Sequence, residues 1–516
     1  MAMPETPVGA SGQQDRAATR RMCAGVYLDA EYRTAVIQQV YNARKRRVAP
    51  SYGYDLVPVL AHAWRAWWLA TAANALIVAV LGVAYAARPA AAFLATAVLV
   101  DLTLLVSFAA RSSGRTGDGP PRAHARGLVA AALATVVAVA IVVATDGPRG
   151  FTVAAVIILV LCLVLATVSV LRQLALNGLR AGLEAERPLR MNRRLSVIDG
   201  QQRHPMVVYT AEVPFIGSGR RLGTWSFAQR LVETKGIGGE KDVEFTKKPF
   251  PTWDLVEELR RAITALGTED DPETRLPGLM VTDSLFVEGR YAMGYARELT
   301  DTPNSDMVRR MLDSPTETAR HYLTCRVESW GGDLVTTIFV HVSLQGRTLY
   351  IEFTTCGLAP TRLEYHAIDV VGRTGRMAVV RAAFTGLRNL PVVSLAPVRL
   401  LGAASLLLGS LGAAPDATAA SLKRGNNIGA ELSARELASI EADESYFQTF
   451  DVAKHSKVIE RRLLATVGEF LREHGVDTTE FLQRATAILN NGVINTGSGN
   501  VELGDTAMGV NTSVSK

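Results

Sequence analysis

Four apolar runs between residues 66 and 170 restrict the folds open to this chain more than any other feature of its sequence. Each run has about 18–22 residues, and at a rise of about 1.5 Å per residue that length crosses a hydrocarbon core of about 30 Å. Because lipid offers the backbone no hydrogen-bond partners, such runs form helices. We expect a multi-domain membrane protein with a four-helix transmembrane region of two hairpins, over residues 66–87, 90–110, 127–144 and 151–170.

The distribution of arginine and lysine predicts how these helices are oriented. Basic residues are concentrated before the first run, between the second and third runs, and after the fourth, whereas the two remaining loops hold only Arg88 and Arg149. Positively charged loops stay in the cytoplasm, so a multi-pass protein of the cell membrane with both termini cytoplasmic is expected. The same arginines account for most of the net charge of +6, which favours a lipid bilayer as partner and no nucleic acid.

One ionisable group, Asp101, lies inside the predicted spans. A carboxylate in the hydrocarbon core costs about 2.5–3.5 kcal/mol on insertion scales, so it should face a protein partner. Asn74 lies at nearly the same depth on the first run, and we expect an Asn74–Asp101 hydrogen bond across the first hairpin. A single such group is typical of a structural bond rather than an ion pathway, which leaves a small-solute transporter as the third choice.

Signatures of catalysis are missing from the sequence. It contains no GxSxG, HExxH or P-loop pattern, and Cys23, Cys162, Cys325 and Cys356 lack the spacing of a zinc site, which favours reduced thiols. We therefore predict no catalytic residue, cofactor or metal, and the chain leans away from being an enzyme. Three carboxylates near the predicted sheet, which a membrane-bound enzyme with a site in residues 201–390 would use as acid and base, are Glu328, Asp333 and Glu352.

A glycine turn provides the one candidate site for an anion. Gly217, Ser218 and Gly219 are followed by Arg220 and Arg221, an order that would give a backbone nest with cationic walls for a phosphate. A turn without ligand is the alternative, because no helix begins directly after it.

The rest of the chain divides by pattern into soluble parts. Residues 1–65 form a cytoplasmic segment with an amphipathic helix, and residues 171–412 a cytosolic α+β domain with an antiparallel meander. Residues 413–450 read as a linker, and 451–489 as a helical hairpin that packs on the domain or on a second copy. Within the α+β domain, strands are expected at 205–213, 321–329, 334–344, 348–355 and 361–368, and helices at 226–234 and 254–266.

Residues 391–412 are ambiguous because Pro397 leaves only about 15 residues before the linker, which is short for a span. A membrane-surface or core-packed helix over residues 398–412 is expected. The alternative, a fifth span, would place the C-terminal tail outside the cell.

The tail, residues 490–516, is rich in Asn, Gly, Ser and Thr and contains no proline, so stacked copies could pair their backbones. Val501, Glu502, Leu503 and Gly504, with Asn495, Gly497 and Gly499 before them and Met508 after, resemble the RIP homotypic interaction motif and its bacterial amyloid-signalling relatives. This resemblance implies a homo-oligomer or a protein partner through the C-terminal region. Glu502 departs from the motif, since stacked carboxylates repel; a disordered or locally β-paired tail is the alternative.

The order of the parts resembles integral membrane proteins of actinobacterial type, a resemblance that implies no particular activity. It is carried by VAPSYGYDLVPVL before the first run, by PFIGSG with Trp225 to Ala228, and by ILNNG before the tail. Taken together, the sequence predicts a membrane-anchored cytoplasmic scaffold or sensor with a tail for signalling contacts, and the membrane-bound enzyme is the alternative.

Overall fold

The structure is a computed structural model. It describes residues 11–113, 121–180, 191–210, 214–233, 245, 247–301, 303–314, 318–370, 373–411, 414–440 and 446–490.

The N-terminal segment is helical and leads directly into the first apolar helix. Helix α1 (Ser11–Leu28) is followed by α2 (Ala30–Ala35) and by a π-helical turn, Val36–Tyr41. Asp29 separates the first two helices, because its side chain caps α2 by accepting from the backbone N–H groups of Glu31 and Tyr32. Helix is thus present within residues 1–65, where it was predicted.

All four apolar runs lie in helices. These are α3 (Leu56–Ala87), α4 (Pro89–Ser113), α5 (Pro121–Thr145) and α6 (Pro148–Arg180). Arg88 and Asp146 form an ion pair at 3.4 Å, so the two short connections meet at one end of the bundle, here called the loop end. The opposite end, where α3 begins and α6 finishes, carries the rest of the protein and is called the sheet end.

Three helices in the described residues are long and apolar enough to cross a membrane: Leu56–Ala87, Pro148–Arg180 and Val393–Ser410. Shorter apolar segments lie in α4 and α5, at Pro89–Leu102 and Ala132–Thr145. These helices are compatible with a membrane protein.

The part of the chain outside the apolar helices is built on a mixed sheet of six strands. In chain order they are β1 (Met206–Tyr209), β2 (Arg220–Arg230), β3 (Met280–Glu288), β4 (Ala319–Ser329), β5 (Leu334–Gln345) and β6 (Thr348–Leu358). Their spatial order is β1-β3-β4-β5-β6-β2. The antiparallel meander is confirmed for β3 to β6, with β2 antiparallel on β6, whereas β1 pairs parallel with β3.

Two local predictions in this region are wrong. The short helix expected at 226–234 belongs largely to β2, which pairs with β6 from Arg220 to Arg230 and stacks Trp225 on Phe353 at 5.2 Å. The strand expected at 361–368 is a 3₁₀ helix, Leu363–Ile368, which buries residues three apart, Tyr365 and Ile368. In both places tertiary partners decide the conformation over local pattern.

The remaining α-helices are α7 (Arg193–Gln202), α8 (Thr252–Ala265), α9 (Ser305–Asp313), α10 (Arg376–Gly386), α11 (Ala396–Ser410), α12 (Thr418–Lys423), α13 (Ala434–Ala438), α14 (Tyr446–Glu473) and α15 (Thr479–Asn490). The predicted helical hairpin is confirmed as α14 and α15. It shares one hydrophobic core with α8 and a face of the sheet, because Leu463, Phe470 and Phe481 lie in the same buried cluster as Val340 and Phe353. The pair therefore packs on the main domain.

Helix α10, the 3₁₀ segment Leu387–Leu395 and α11 form an inserted hairpin, residues 376–410. At its start the Gly375 N–H donates to Asn177 Oδ1 at 3.0 Å, and one helix later Gly386 lies against Ser169 of α6. At its turn Val393 is buried in the cluster that holds residues of α3, α4 and α6.

The second arm of the inserted hairpin returns along α3. Near its end the Asn42 side chain donates to the Leu406 carbonyl at 3.1 Å, and Leu406 is buried in the cluster that contains Trp67. The segment therefore enters and leaves at the sheet end. Two alternatives were expected for residues 398–412, a membrane-surface helix or a core-packed one. In the described residues α11 packs along α3, while Leu401 and Leu408 stay exposed.

The linker predicted at 413–450 is also wrong in its described part. Residues 414–440 carry α12 and α13, and Arg435 of α13 is 0% exposed. Small residues in this stretch allow close packing against the domain, where Gly429 lies against the backbone of Tyr209. The soluble elements and the apolar helices thus form one connected unit.

Candidate functional site

A cavity of about 230 Å³ lies at the junction of the α1–α2 turn, α3, α6 and the inserted hairpin. One side of it is apolar, formed by α3, α6 and the hairpin turn. Apart from Tyr27, the described lining residues with polar side chains are three arginines and two asparagines, with no aspartate or glutamate among them: Arg33, Arg172, Arg399, Asn74 and Asn389. We call this space the arginine cavity.

The position of Arg33 follows from the cap at Asp29. Because Asp29 starts α2 afresh, Arg33 projects one turn later toward α6 and the cavity. Its Nη1 donates to the Val26 carbonyl at 3.0 Å, and its buried Nε has no partner in the structure. Burial lowers the pKa of the Arg33 guanidinium, and the neighbouring Arg172 lowers it further, while Asp29 acts in the opposite direction.

Asp29, the acid nearest to Arg33 along the chain, is already engaged. Its Oδ1 accepts from the N–H groups of Glu31 and Tyr32, and its Oδ2 accepts from Arg362 and from the Tyr365 hydroxyl, both at 2.9 Å. Burial would raise the pKa of Asp29, but these hydrogen bonds outweigh it and hold that pKa below its ordinary value. Asp29 is therefore ionised, but it is committed to the 3₁₀ helix Leu363–Ile368 instead of the cavity.

Arg172 and Arg399 approach the cavity from α6 and α11. Neither forms an ion pair or hydrogen bond with another residue in the described parts of the chain. A guanidinium has five N–H donors in a planar fork that fits the oxygens of a carboxylate or phosphate. The arrangement can therefore hold an anion. Sequence reasoning did not single out these arginines as a site, because no short-range pattern links residues 33, 172 and 399.

The predicted Asn74–Asp101 hydrogen bond is wrong. Asp101 accepts from the Thr135 hydroxyl of α5, and Asn74 lines the arginine cavity. Equal depth in two helices says nothing about rotation around their axes, and here α4 turns its carboxylate away from α3.

The predicted nest is present, but its anion comes from the chain itself. Gly217 and Gly219 have φ values of +90° and +83°, and their N–H groups donate to Glu436 Oε1 of α13 at 2.9 and 3.0 Å. Burial raises the pKa of the Glu436 carboxyl, while the two N–H donors lower it. Ser218 donates to the Phe215 carbonyl, and the backbones of Arg220 and Arg221 begin β2. The phosphate prediction for this turn is therefore corrected.

A second buried charged group, the Asp333 cluster, joins the N-terminal helices to the sheet. Asp333 lies between β4 and β5 and pairs with Arg21 of α1 at 2.5 Å, with His366 at 3.3 Å and with Arg435 at 3.8 Å. Thr361 donates to its Oδ1 at 3.2 Å. Arg21 also pairs with Asp369, directly after the 3₁₀ helix that binds Asp29. The cluster therefore lies within a few residues of the cavity wall.

The three carboxylates considered as an acid–base set do not come together. Asp333 belongs to the Asp333 cluster, Glu328 pairs with Arg326 at 3.3 Å, and Glu352 accepts from the Tyr322 hydroxyl at 3.4 Å. Glu352 is the cross-strand partner of His341; burial raises the pKa of Glu352 and lowers that of His341. The cavity beside His341 measures about 10 Å³, space for about one water molecule.

The other predictions concern the cysteines and the tail. All four cysteines are free thiols, and burial raises the pKa of Cys325 and Cys356 to about 12, which makes both poor nucleophiles. The association residues of the tail, Val501, Glu502, Leu503 and Gly504, lie outside the described residues.

Comparison with known proteins gives a family. No curated protein and no solved structure matches the chain. The family model described as an AbeC-like domain matches residues 224–502, a stretch that begins in β2 and includes the inserted hairpin, α14 and α15 but none of α3 to α6. Because the match covers more than half of its 516 residues, this chain belongs to the AbeC-like domain family.

Proposed function

We propose that this protein is a membrane-anchored cytoplasmic sensor and scaffold that reads the occupancy of the arginine cavity. One observation carries the proposal: the soluble domain is packed into the apolar helices through the inserted hairpin and α1, instead of hanging from a flexible tether. A domain held in this way can respond to a change at the membrane.

In this proposal α3 to α6 cross the membrane and both termini lie in the cytoplasm. The arginine distribution supports this orientation, and the Arg88–Asp146 pair supports a common outer side for the two short loops. Since both ends of the inserted hairpin lie at the sheet end, the hairpin is re-entrant and does not form a fifth span. A 3₁₀ turn at membrane depth is tolerated where protein covers it, as at the buried Val393.

A short series of contacts links the cavity to the sheet. Arg33 lies one turn from Asp29, which holds Arg362 and Tyr365. The 3₁₀ helix of Tyr365 ends at Asp369, which pairs with Arg21 of the Asp333 cluster. A ligand that moves α2 would change the contacts of Asp29 and, through them, the position of the 3₁₀ helix and the pairing of Asp369 with Arg21. Coupling of this kind requires that the ligand makes different contacts in the two states of the protein.

The scaffold part of the proposal rests on the tail. It follows α15, which packs on the sheet domain, so anchored copies would present their tails on the cytoplasmic side. Confinement to a membrane raises the effective concentration of such tails and favours homo-oligomers or a bound protein partner even when each contact is weak.

Hydrogen–deuterium exchange of the full chain in nanodiscs of zwitterionic lipid tests the coupling. Ala70→Leu adds apolar volume inside the cavity, and Ala72→Leu adds the same volume on an exposed face of the same helix. We expect Ala70→Leu alone to change exchange at residues 363–369 and 434–438. Changes confined to α3 and its direct neighbours would refute a sensor of this kind.

A membrane-bound enzyme is the second candidate, and the His341–Glu352 pair with Tyr322 is the observation that favours it. Their opposed pKa shifts resemble those of acid–base groups, although the adjacent space of about 10 Å³ holds no substrate. The test measures turnover of a panel of carboxylic and phosphoric esters by the wild type and by Glu352→Gln. Turnover that disappears in the variant while the melting temperature stays unchanged would support this candidate over the sensor.

A further inference from the structure

We propose that the arginine cavity binds the phosphate group of an anionic phospholipid, held between Arg33 and Arg172, with its apolar chain along α3. The inference deepens the proposed function and rests on it for the position of the cavity at the inner face of the membrane.

The charges around the cavity are unbalanced. Among the described residues three arginines and no acid line it, and Arg172 lies close enough to Arg33 to disfavour the charge of the Arg33 guanidinium. Like charges in a partly buried space are costly unless an anion compensates them. The structure thus contains half of an ion-binding site.

The nearby described acidic residues do not supply the anion. Asp29 is saturated by four hydrogen bonds. Asp369 is held by Arg20 and Arg21, and Asp101 bonds to Thr135 on the far side of α4. The missing counter-ion therefore comes from outside the described chain.

The N–H donors that line the cavity are of the kind that binds phosphate. The unpartnered Nε of Arg33 and the free guanidinium of Arg172 offer forked N–H groups, which suit phosphate better than a spherical anion. Arg399 is exposed and can reach in from α11, and the amides of Asn74 and Asn389 add donors for ester or hydroxyl oxygens. A phosphate ester fits this set.

The apolar wall of the cavity favours a lipid over a soluble phosphate. Ala66, Leu69, Ala73 and Ile77 follow one another on α3 at helical spacing and line the cavity. They cover about 16 Å of helix at about 1.5 Å per residue, which accommodates much of an acyl chain. Leu165, Val168 and Val393 form the opposite wall. A free phosphate ion would leave this apolar surface without a partner.

The test measures lipid retained by the full-length protein. Protein purified from mixed micelles containing phosphatidylglycerol is examined by native mass spectrometry, as wild type, Arg33→Gln, Arg172→Gln and Arg33→Lys. Arg65→Gln is the matched control, because Arg65 is an exposed arginine of α3 near the same membrane face but outside the cavity. A parallel arm adds glycerol 3-phosphate as a soluble competitor.

We expect phosphatidylglycerol on wild type and on Arg65→Gln, about a tenfold loss in Arg33→Gln and Arg172→Gln, a smaller loss in Arg33→Lys, and no displacement by glycerol 3-phosphate. Melting in zwitterionic nanodiscs shows whether the variants fold. Arg172→Gln should melt at or above the wild-type temperature there, because it removes a repulsion that no lipid relieves.

If Arg33→Gln and Arg172→Gln both retain as much phosphatidylglycerol as wild type, the proposal is overturned. It is also overturned if Arg65→Gln loses as much lipid as these two variants, because that result would show only general attraction to anionic lipid. Full displacement by glycerol 3-phosphate would overturn the lipid as the source of the phosphate. A failure here is distinguishable from a failure of the sensor, since the exchange experiment with Ala70→Leu uses no anionic lipid.

Discussion

Replacement of Asp333 by asparagine is expected to loosen the junction between α1, the sheet and α13. The side chain of Arg435 is 0% exposed and that of Arg21 is 16% exposed. The variant therefore removes the shared counter-ion of one buried and one partly buried cation, of which Arg21 keeps Asp369. Removal of one partner from a buried ion pair costs about 3–5 kcal/mol. The asparagine carbonyl can still accept from Thr361, so the loss comes from the charge.

The effect is local, and amide exchange of the folded protein measures it. Since about 1.4 kcal/mol corresponds to a factor of ten, protection at residues 330–336, 363–369 and 434–438 should fall by about two to three and a half orders of magnitude, unless the stability of the whole protein sets a lower limit. Asp313→Asn is the matched control, because Asp313 is exposed at the end of α9. It should leave all three segments unchanged.

A double variant separates charge from packing. Arg435→Met added to Asp333→Asn removes a cation together with its counter-ion and fills the same space, so part of the protection should return. Protection in Asp333→Asn within about threefold of wild type would refute the reasoning. A double variant that loses protection by the sum of both single changes would show that the two residues act independently.

Three further predictions follow from the glycines, the nest and the tail. Gly386→Ala should destabilise the protein by about 1–3 kcal/mol, because its Cβ would lie 2.5 Å from the Ser169 hydroxyl and 2.8 Å from a backbone carbonyl of α6. Gly402→Ala is the control, since a Cβ there meets nothing within 4 Å. Equal melting temperatures of the two variants would contradict this packing. Burial raises the pKa of Glu436, so the folded protein binds this proton more tightly than the unfolded chain does. The stabilising contribution of the proton is therefore complete below about pH 4.5 and falls as pH rises through the folded pKa. Glu436→Gln should remove this part of the pH dependence of melting, and a profile identical to that of wild type would contradict the prediction. A peptide of residues 488–516 should seed dye-binding fibrils that Gly504→Pro prevents, and if both peptides stay soluble the association proposal loses its main support.

The features that sequence reasoning predicted correctly are those decided over short distances. The apolar runs form helices, because a helix pairs the polar groups of its backbone within one segment. The β5–β6 hairpin follows from period-two alternation around Gly346, and α14 and α15 follow from apolar stripes that end at Gly475 and restart at Asp477. Each pattern lies within about thirty residues, and each of these elements is present.

The candidate site could not be predicted from the sequence. Arg33, Arg172 and Arg399 meet only because the inserted hairpin turns back between α3 and α6, and nothing near residue 399 indicates that it neighbours residue 33. The same holds for Glu436, which occupies the nest that a phosphate was expected to fill, and for Asp101, which faces Thr135.

Local sequence determines which backbone hydrogen bonds can form, and so it determines the helices and the central strands of this protein. Only the tertiary structure decides which charge meets which, because the rotation of a helix and the path of the inserted hairpin depend on packing energies summed over distant residues. In this chain those energies place the arginine partners of Asp333 and the N–H donors of Glu436 inside the protein, whereas no described acid lines the arginine cavity.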